Sequence, residues 1–245
     1  MTNLIRTGQL APTRTLLFSL ALAATSLITA SAQSPEPAPA PTPVPPTSPL
    51  DLGNAAANKG DLDTAIADFT QAIQMYPKSA VAYNGRGLAY GKKGDFDKAI
   101  ADFSQAVLLD PTDAPGFYNR ALAYQNKGDY VNAIADNKQT IQLVPKIPDG
   151  YNNLAWILAT CPEASLRDGK KAVESATKAC ELSGWKNPNY IDTLAAACAE
   201  AGDFDNAVKW ETQFLQTPNL SADDAADAKT HLALYQAHQP FHTTR

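Results

Sequence analysis

The side chains able to do chemistry are few, and their spacing restricts what they can do. Cys161, Cys180 and Cys198 stand 19 and 18 residues apart, which fits neither a CxxC pair nor a zinc-binding cysteine pattern. Cys180 and Cys198 fall on apolar helical stripes and Cys161 precedes Pro162 at a helix end, so buried free thiols are expected, with a single bridge as the alternative. Antiparallel neighbouring helices would hold Cys161 and Cys180 further apart than the roughly 4.4–6.8 Å that a disulfide tolerates between α-carbons. His231, His238 and His242 all lie near the C-terminus. The seven residues from His231 to His238 make two helical turns, whereas chelation from one helix needs a spacing of about four, so a solvated tail without metal is expected. The run Gly85-Arg86-Gly87 through Gly91 has the wrong final spacing for a dinucleotide loop and sits within a helical pattern, where small residues let helices approach closely. HExxH, GxSxG, Walker and CxxC motifs are absent from the sequence. No nucleophile and base assemble, so the residues point away from an enzyme and from any cofactor or metal.

Charge is patterned rather than concentrated. Arg86 and Arg120 recur one interval apart, as do Asp68, Asp102 and Asp136. Such positions are buried when repeated helices pack, and an unpaired buried charge is costly, so arginine–aspartate pairing follows. Spacing alone leaves open whether each arginine meets the aspartate before or after it. The whole chain of 245 residues carries 20 Lys+Arg against 25 Asp+Glu, a net charge of −5. That balance excludes broad nucleic-acid binding, which needs clustered cations to displace counterions from phosphates. With 44% apolar residues the chain has ample material for a core.

Those charges and thiols must be positioned by a unit copied along the chain. KGDLDTAIADFTQAI, KKGDFDKAIADFSQAV and NKGDYVNAIADNKQTI place Gly60, Gly94 and Gly128 at intervals of 34 residues. EAGDFDNAVKWETQFL repeats the pattern at Gly202, and KKAVESATKACEL is a divergent helix between, its Ala172 matching Ala65, Ala99, Ala133 and Ala207. Apolar residues recur at helical spacing, as in Ala65, Ile66, Phe69, Ala72 and Ile73, which gives each second helix one buried stripe. The preceding helix repeats Tyr83, Gly87 and Tyr90 as Phe117, Ala121 and Tyr124. Glycine takes the left-handed turn between paired helices, the aspartate after it caps the next helix, and Pro77, Pro111 and Pro145 end each second helix.

These residues resemble the tetratricopeptide repeat (TPR) family. Repeat two carries the full motif at Tyr83, Gly87, Tyr90, Ala99, Phe103, Ala106 and Pro111. Repeat one matches through Ala65, Phe69, Ala72 and Pro77, while Pro49, Gly53 and Ala56 make its first helix atypical. Repeat three departs at Asn137 and Thr140, repeat four lacks the aromatic at Ala176, and repeat five has Glu211 and Phe214. The resemblance implies an all-α fold, a right-handed superhelical solenoid of helix-turn-helix repeats at about 50–79, 80–113, 114–147, 148–187 and 188–220. A polar-backed capping helix is expected over 221–238, opened by Ser221 and Asp224. The stretch 153–211 is similar to a terminal segment common in exported bacterial TPR proteins, which implies a bacterial source and a complete C-terminal end.

The resemblance also implies where a partner would sit. First helices line a concave wall, and its groove-facing positions correspond to Asn54, Asn58, Asn84, Leu88, Lys92, Tyr118, Leu122, Asn126, Asn152 and Trp156. Amides there can satisfy a peptide backbone while Leu88, Leu122, Tyr118 and Trp156 bury side chains. The family's basic clamp for a chaperone carboxylate needs converging lysines, and only Lys92 qualifies.

The first fifty residues differ in kind. Met1–Thr15 hold Arg6 and Arg14 without an acid, Leu16–Ala30 is an uncharged apolar run, and Ala30-Ser31-Ala32 offers a small-residue cleavage site. This is the layout of a secretory signal peptide over 1–32, with an uncleaved signal anchor as the alternative. Residues 33–49 form a proline-rich linker, since 8 of the 18 prolines fall in Ser34–Pro49 and neither helix nor sheet accepts that density. The TPR domain then occupies 50–245. The sequence thus reads as a non-catalytic, exported interaction scaffold, periplasmic or secreted, that binds a protein or peptide segment and no nucleic acid. A glycan-binding or enzyme-accessory envelope protein using Trp185, and a self-assembling structural module, are the alternatives.

Overall fold

A computed structural model describes residues 48–244. The signal peptide and nearly all of the linker therefore lie outside the described residues. Within them the chain forms eleven α-helices, one short 3-10 turn at Ala164–Leu166 and no strand. The helices are α1 (Pro49–Asn58), α2 (Leu62–Met75), α3 (Ala80–Lys92), α4 (Phe96–Leu109), α5 (Ala114–Lys127), α6 (Tyr130–Leu143), α7 (Pro148–Thr160), α8 (Gly169–Leu182), α9 (Pro188–Glu200), α10 (Phe204–Leu215) and α11 (Ala222–Gln236). None is long and apolar enough to cross a membrane.

The helix ends follow from the repeated Gly-Asp pair. Gly60, Gly94, Gly128 and Gly202 hold φ between +80° and +83°, a conformation that costs a residue with a Cβ about 1–2 kcal/mol. The N–H of the aspartate that follows then reaches back to a carbonyl of the first helix, as from Asp129 to Tyr124 at 2.8 Å, closing the Schellman turn. Asp61, Asp129 and Asp203 also cap the next helix, each accepting the N–H three residues on. α1 starts at Pro49, inside the segment read as linker, because Ser48 and Asp51 form a capping box and proline suits the first helical turn.

Stacking buries the stripes. Ala65, Phe69 and Ala72 of α2, and Ala99, Phe103, Ala106 and Val107 of α4, face inward. The Phe69 ring lies so close to α1 and α3 that a Cβ on Gly53 or Gly85 would come within 2.8 and 2.7 Å of it, and Gly87 seats Phe103 in the same way. The Gly85–Gly87 pair is therefore a packing device. From α7 onward one continuous apolar core runs through α8, α9, α10 and α11. The fourth repeat replaces the tight Gly-Asp turn with residues 161–168, anchored where the Asp168 N–H donates to the Leu158 carbonyl at 2.9 Å.

The stack is curved with the first helices inside. α1 touches α3, α3 touches α5, α7 packs broadly on α9, and α9 touches α11, whereas no two second helices meet to that extent. α1, α3, α5, α7 and α9 therefore form the inner wall, with α11 packed against α10 and α9 at the C-terminal end.

Candidate functional site

Periodic charges on the stack pair in one direction. Arg86 donates from Nε and Nη2 to the two oxygens of Asp102, both at 2.8 Å, and from Nη1 to Thr70 Oγ1 at 3.0 Å. Arg120 repeats this on Asp136 at 2.7 and 2.9 Å, and on Ser104 at 3.1 Å. Each arginine thus takes the aspartate after it in sequence and reaches back to a hydroxyl of the preceding repeat. The hydrogen bonds to Asp102 and Asp136 raise the guanidinium pKa values further, against the opposing effect of burial. These forks join three helices at a time and leave little free charge for a ligand.

On the inner wall the candidate residues divide. Asn54, Asn58 and Lys92 are exposed, and Asn84, Leu88, Tyr118, Asn126, Asn152 and Trp156 are half-buried. Leu122 is a correction, for at 1% exposure it belongs to the core and offers no surface. Leu88, its counterpart one repeat earlier, is half-buried against the cluster of Ala99, Phe103 and Ala123. Asn126 donates to its own helix at the Leu122 carbonyl, 2.8 Å away. Asn84 accepts from Asn119 at 3.2 Å, linking α3 to α5. Tyr118 is pushed well above the usual phenol pKa by burial and by the charge of Asp149, which also accepts the Tyr190 hydroxyl at 2.6 Å. Asn152 Oδ1 is buried without a hydrogen-bond partner, an unmet acceptor on the wall.

The C-terminal segment lies across the end of this wall. His238, with φ +56°, terminates α11, and the Gln239 N–H donates back to the Leu234 carbonyl at 2.9 Å, so the chain reverses. Phe241 then packs on Trp156 with ring centroids 6.2 Å apart. Thr243 donates from N and Oγ1 to the Thr160 carbonyl at 2.8 and 3.0 Å, satisfying a group that the end of α7 leaves open. His242 Nε2 meets Glu200 at 2.7 Å, and Glu200 also accepts from Arg167 at 3.0 Å. The solvated tail expected for the histidines is overturned for two of them. His242 is paired, and His231 is buried at 7% exposure. The sequence missed this because its partners come from other helices.

His231 of α11 faces Asp192 of α9 and Glu211 of α10. Its Nδ1 lies 3.7 Å from Asp192 Oδ1 and 3.6 Å from Glu211 Oε1. Burial drives the imidazole pKa down, but the two carboxylates outweigh it and hold it up at about 9. Glu211 stands where the repeat motif places an aromatic, and that departure was the one trace of the cluster in the sequence. Asn137, the other polar replacement, is satisfied differently, accepting from Asn153 at 3.2 Å and donating to the Ala133 carbonyl at 2.9 Å. Cys161, Cys180 and Cys198 are buried and form no disulfide, and burial pushes Cys180 and Cys198 up to about 11 and about 12, which makes them poor nucleophiles.

In the turn between α8 and α9, Trp185 is 41% exposed. Its φ of +60° turns the indole onto Trp210, with ring centroids 5.3 Å apart. Lys209 Nζ covers the Trp210 ring at 4.4 Å.

Comparison with known proteins agrees with this architecture. The tetratricopeptide repeat family matches residues 80–113, and a TPR repeat profile matches residues 53–94. Among curated proteins no sequence relative matches. Among solved structures, MamA is 24% identical, with 76% of this chain and 95% of that one covered at a TM-score of 0.60. MamA from Desulfovibrio magneticus RS-1 is 15% identical, with 69% and 92% covered at 0.61. YrrB, described as a TPR protein with an unusual peptide-binding site, is 16% identical, with 74% and 90% covered at 0.60. At these identities the likeness is one of fold.

Proposed function

For a protein built of tetratricopeptide repeats, as its helix pairs and the matches over residues 53–113 show, we propose the role of an exported interaction scaffold of the cell envelope. An extended segment of a partner protein lies against the wall of first helices, between Asn84 and Trp156. The observation that carries this reading is that the chain's own residues 239–243 already lie against Trp156 and the end of α7. An aromatic ring covers the indole and a backbone N–H meets a helix carbonyl, the two kinds of contact a peptide ligand makes. The half-buried side chains of Asn84 and Asn152 lie on the same row of first helices. Export rests on the N-terminal 32 residues, and the peptide-binding site of YrrB supports such a fold as a binding wall.

The test is a capture from cell-envelope extract by the wild-type chain beside a variant carrying Asn84→Ala, Tyr118→Ala and Asn152→Ala, read by mass spectrometry. The reading expects a protein held by the wild type and lost by the variant at unchanged helicity. The same proteins in both lanes would overturn it. Trp185 favours a second reading, glycan binding, because an exposed indole backed by Trp210 can stack on a sugar face. In that case Trp185→Ala, and not the wall variant, abolishes capture.

A further inference from the structure

We infer that Asp192, Glu211 and His231 form a binding site for a divalent cation, best suited to zinc, that ties α9, α10 and α11 together. One donor atom from each residue lies within 4.8 Å of the other two, and all three residues are buried. The separations of 3.6 and 3.7 Å from His231 Nδ1 to the carboxylates exceed the roughly 2.7–3.2 Å of an N–H···O hydrogen bond. They match two ligands of one ion: four-coordinate bonds of about 2.0–2.2 Å separate neighbouring donor atoms by about 3.4 Å. Three groups closing around a shared centre explain this spacing better than three groups bonding one another.

Charge and burial point the same way. The Asp192 and Glu211 side chains are 2% and 0% exposed. Two carboxylates buried side by side repel strongly unless cationic charge stands between them. A divalent cation with neutral imidazole brings the cluster to zero, which is the form in which buried carboxylates are normally held.

Unmet polar atoms accompany the cluster. His231 Nδ1 is buried without a hydrogen-bond partner, and its side chain is 9% exposed. Tyr235 Oη is also buried without a partner, in a residue at 0% exposure. Tyr235 lies one turn beyond His231 on the same face of α11, and the charges of both carboxylates reach its hydroxyl. Its hydroxyl therefore sits in the field of the same two carboxylates.

Donor chemistry selects the ion. Zinc takes both imidazole nitrogen and carboxylate oxygen as ligands, whereas calcium takes six to eight oxygens and magnesium keeps several waters. Because the ligands come from three separate helices, the ion would clamp the end of the stack. It also accounts for Glu211, which replaces the aromatic found at Phe69 and Phe103.

The experiment uses the full chain, stripped by a chelator and then titrated with Zn2+ alone. Bound metal is read by elemental analysis, and thermal unfolding by circular dichroism. One equivalent of zinc should remain bound after dialysis and raise Tm. Glu211→Gln and His231→Gln should each weaken zinc binding by more than the about 10–100-fold that an outer-shell loss costs, while His238→Gln leaves it unchanged. Co2+ gives a readout independent of the variants' folding, for the wild type should develop the intense visible absorption of a four-coordinate site. A wild type that retains no zinc and shows no such spectrum, or Glu211→Gln and His231→Gln variants that fold and bind as tightly as wild type, would overturn the assignment.

Discussion

At the scale of single residues, the forked arginines Arg86 and Arg120 each gather three hydrogen bonds on one side chain. Asp102→Ala leaves Arg86, only 19% exposed, without its carboxylate. We expect a loss of about 3 kcal/mol, the low end for breaking a buried pair because solvent still reaches the guanidinium. Arg86→Met with Asp102→Leu removes both charges together and should fall within about 1 kcal/mol of wild type. Urea unfolding of the three chains measures both. Asp113 gives a pH signature. It stands at the N-cap of α5, and burial raises its carboxyl pKa above 3.8, against the opposing pull of the Gly116 backbone N–H in the first turn. The folded state therefore binds the proton more tightly than the unfolded chain does. Stability falls as pH rises from the unfolded value through the folded one, and it stays lower at neutral pH. Asp113→Asn should melt higher than wild type at pH 7 and show no difference at a pH below both values, a comparison that thermal melts at two pH values settle. The recurrence of Arg86 and Arg120 disclosed the pairing in advance. Its direction was hidden, since 34-residue spacing places an aspartate on either side and only helix crossing geometry chooses between them.

Among the helices, glycine at the joints has two separable uses. Gly94 and Gly128 serve conformation and have open space where a Cβ would go. Gly169 serves contact, for its Cβ would come within 2.5 Å of the Ala201 backbone nitrogen at the end of α9. Backbone cannot rotate aside as a side chain can, so Gly169→Ala must push α8 from α9. A cost of about 1–3 kcal/mol is expected, read as a lower urea midpoint at unchanged m-value. Helix boundaries for the regular repeats were legible because Gly-Asp and proline punctuate them. The fourth repeat was less so, since residues 161–168 carry no such turn and their path is fixed by Arg167 on the Cys161 carbonyl and on Glu200.

For the whole molecule, the tail makes the inner wall self-occupied at one end. Deleting residues 239–245 removes Phe241 from Trp156 and Thr243 from Thr160. Tryptophan emission should shift to the red as the indole meets water, and any wall-bound partner should bind more tightly once it no longer competes with the tail. Unaltered emission would mean that the segment does not rest on Trp156 in solution. The His242–Glu200 contact is partly exposed, so it is a modest share of what holds the tail.

The sequence by itself determined the repeat, its helix pairs and the stripe that each helix buries, because these depend on period, turn residues and side-chain volume within a few turns of chain. It also marked Asn137 and Glu211 as departures without saying what satisfied them. Tertiary structure alone decided that Leu122 is core, that Arg86 meets Asp102, that Phe241 covers Trp156, and that Asp192, Glu211 and His231 converge. Each of those depends on the angle and offset at which one helix crosses the next. That geometry is the sum of many small packing contacts, and no single spacing along the chain records it.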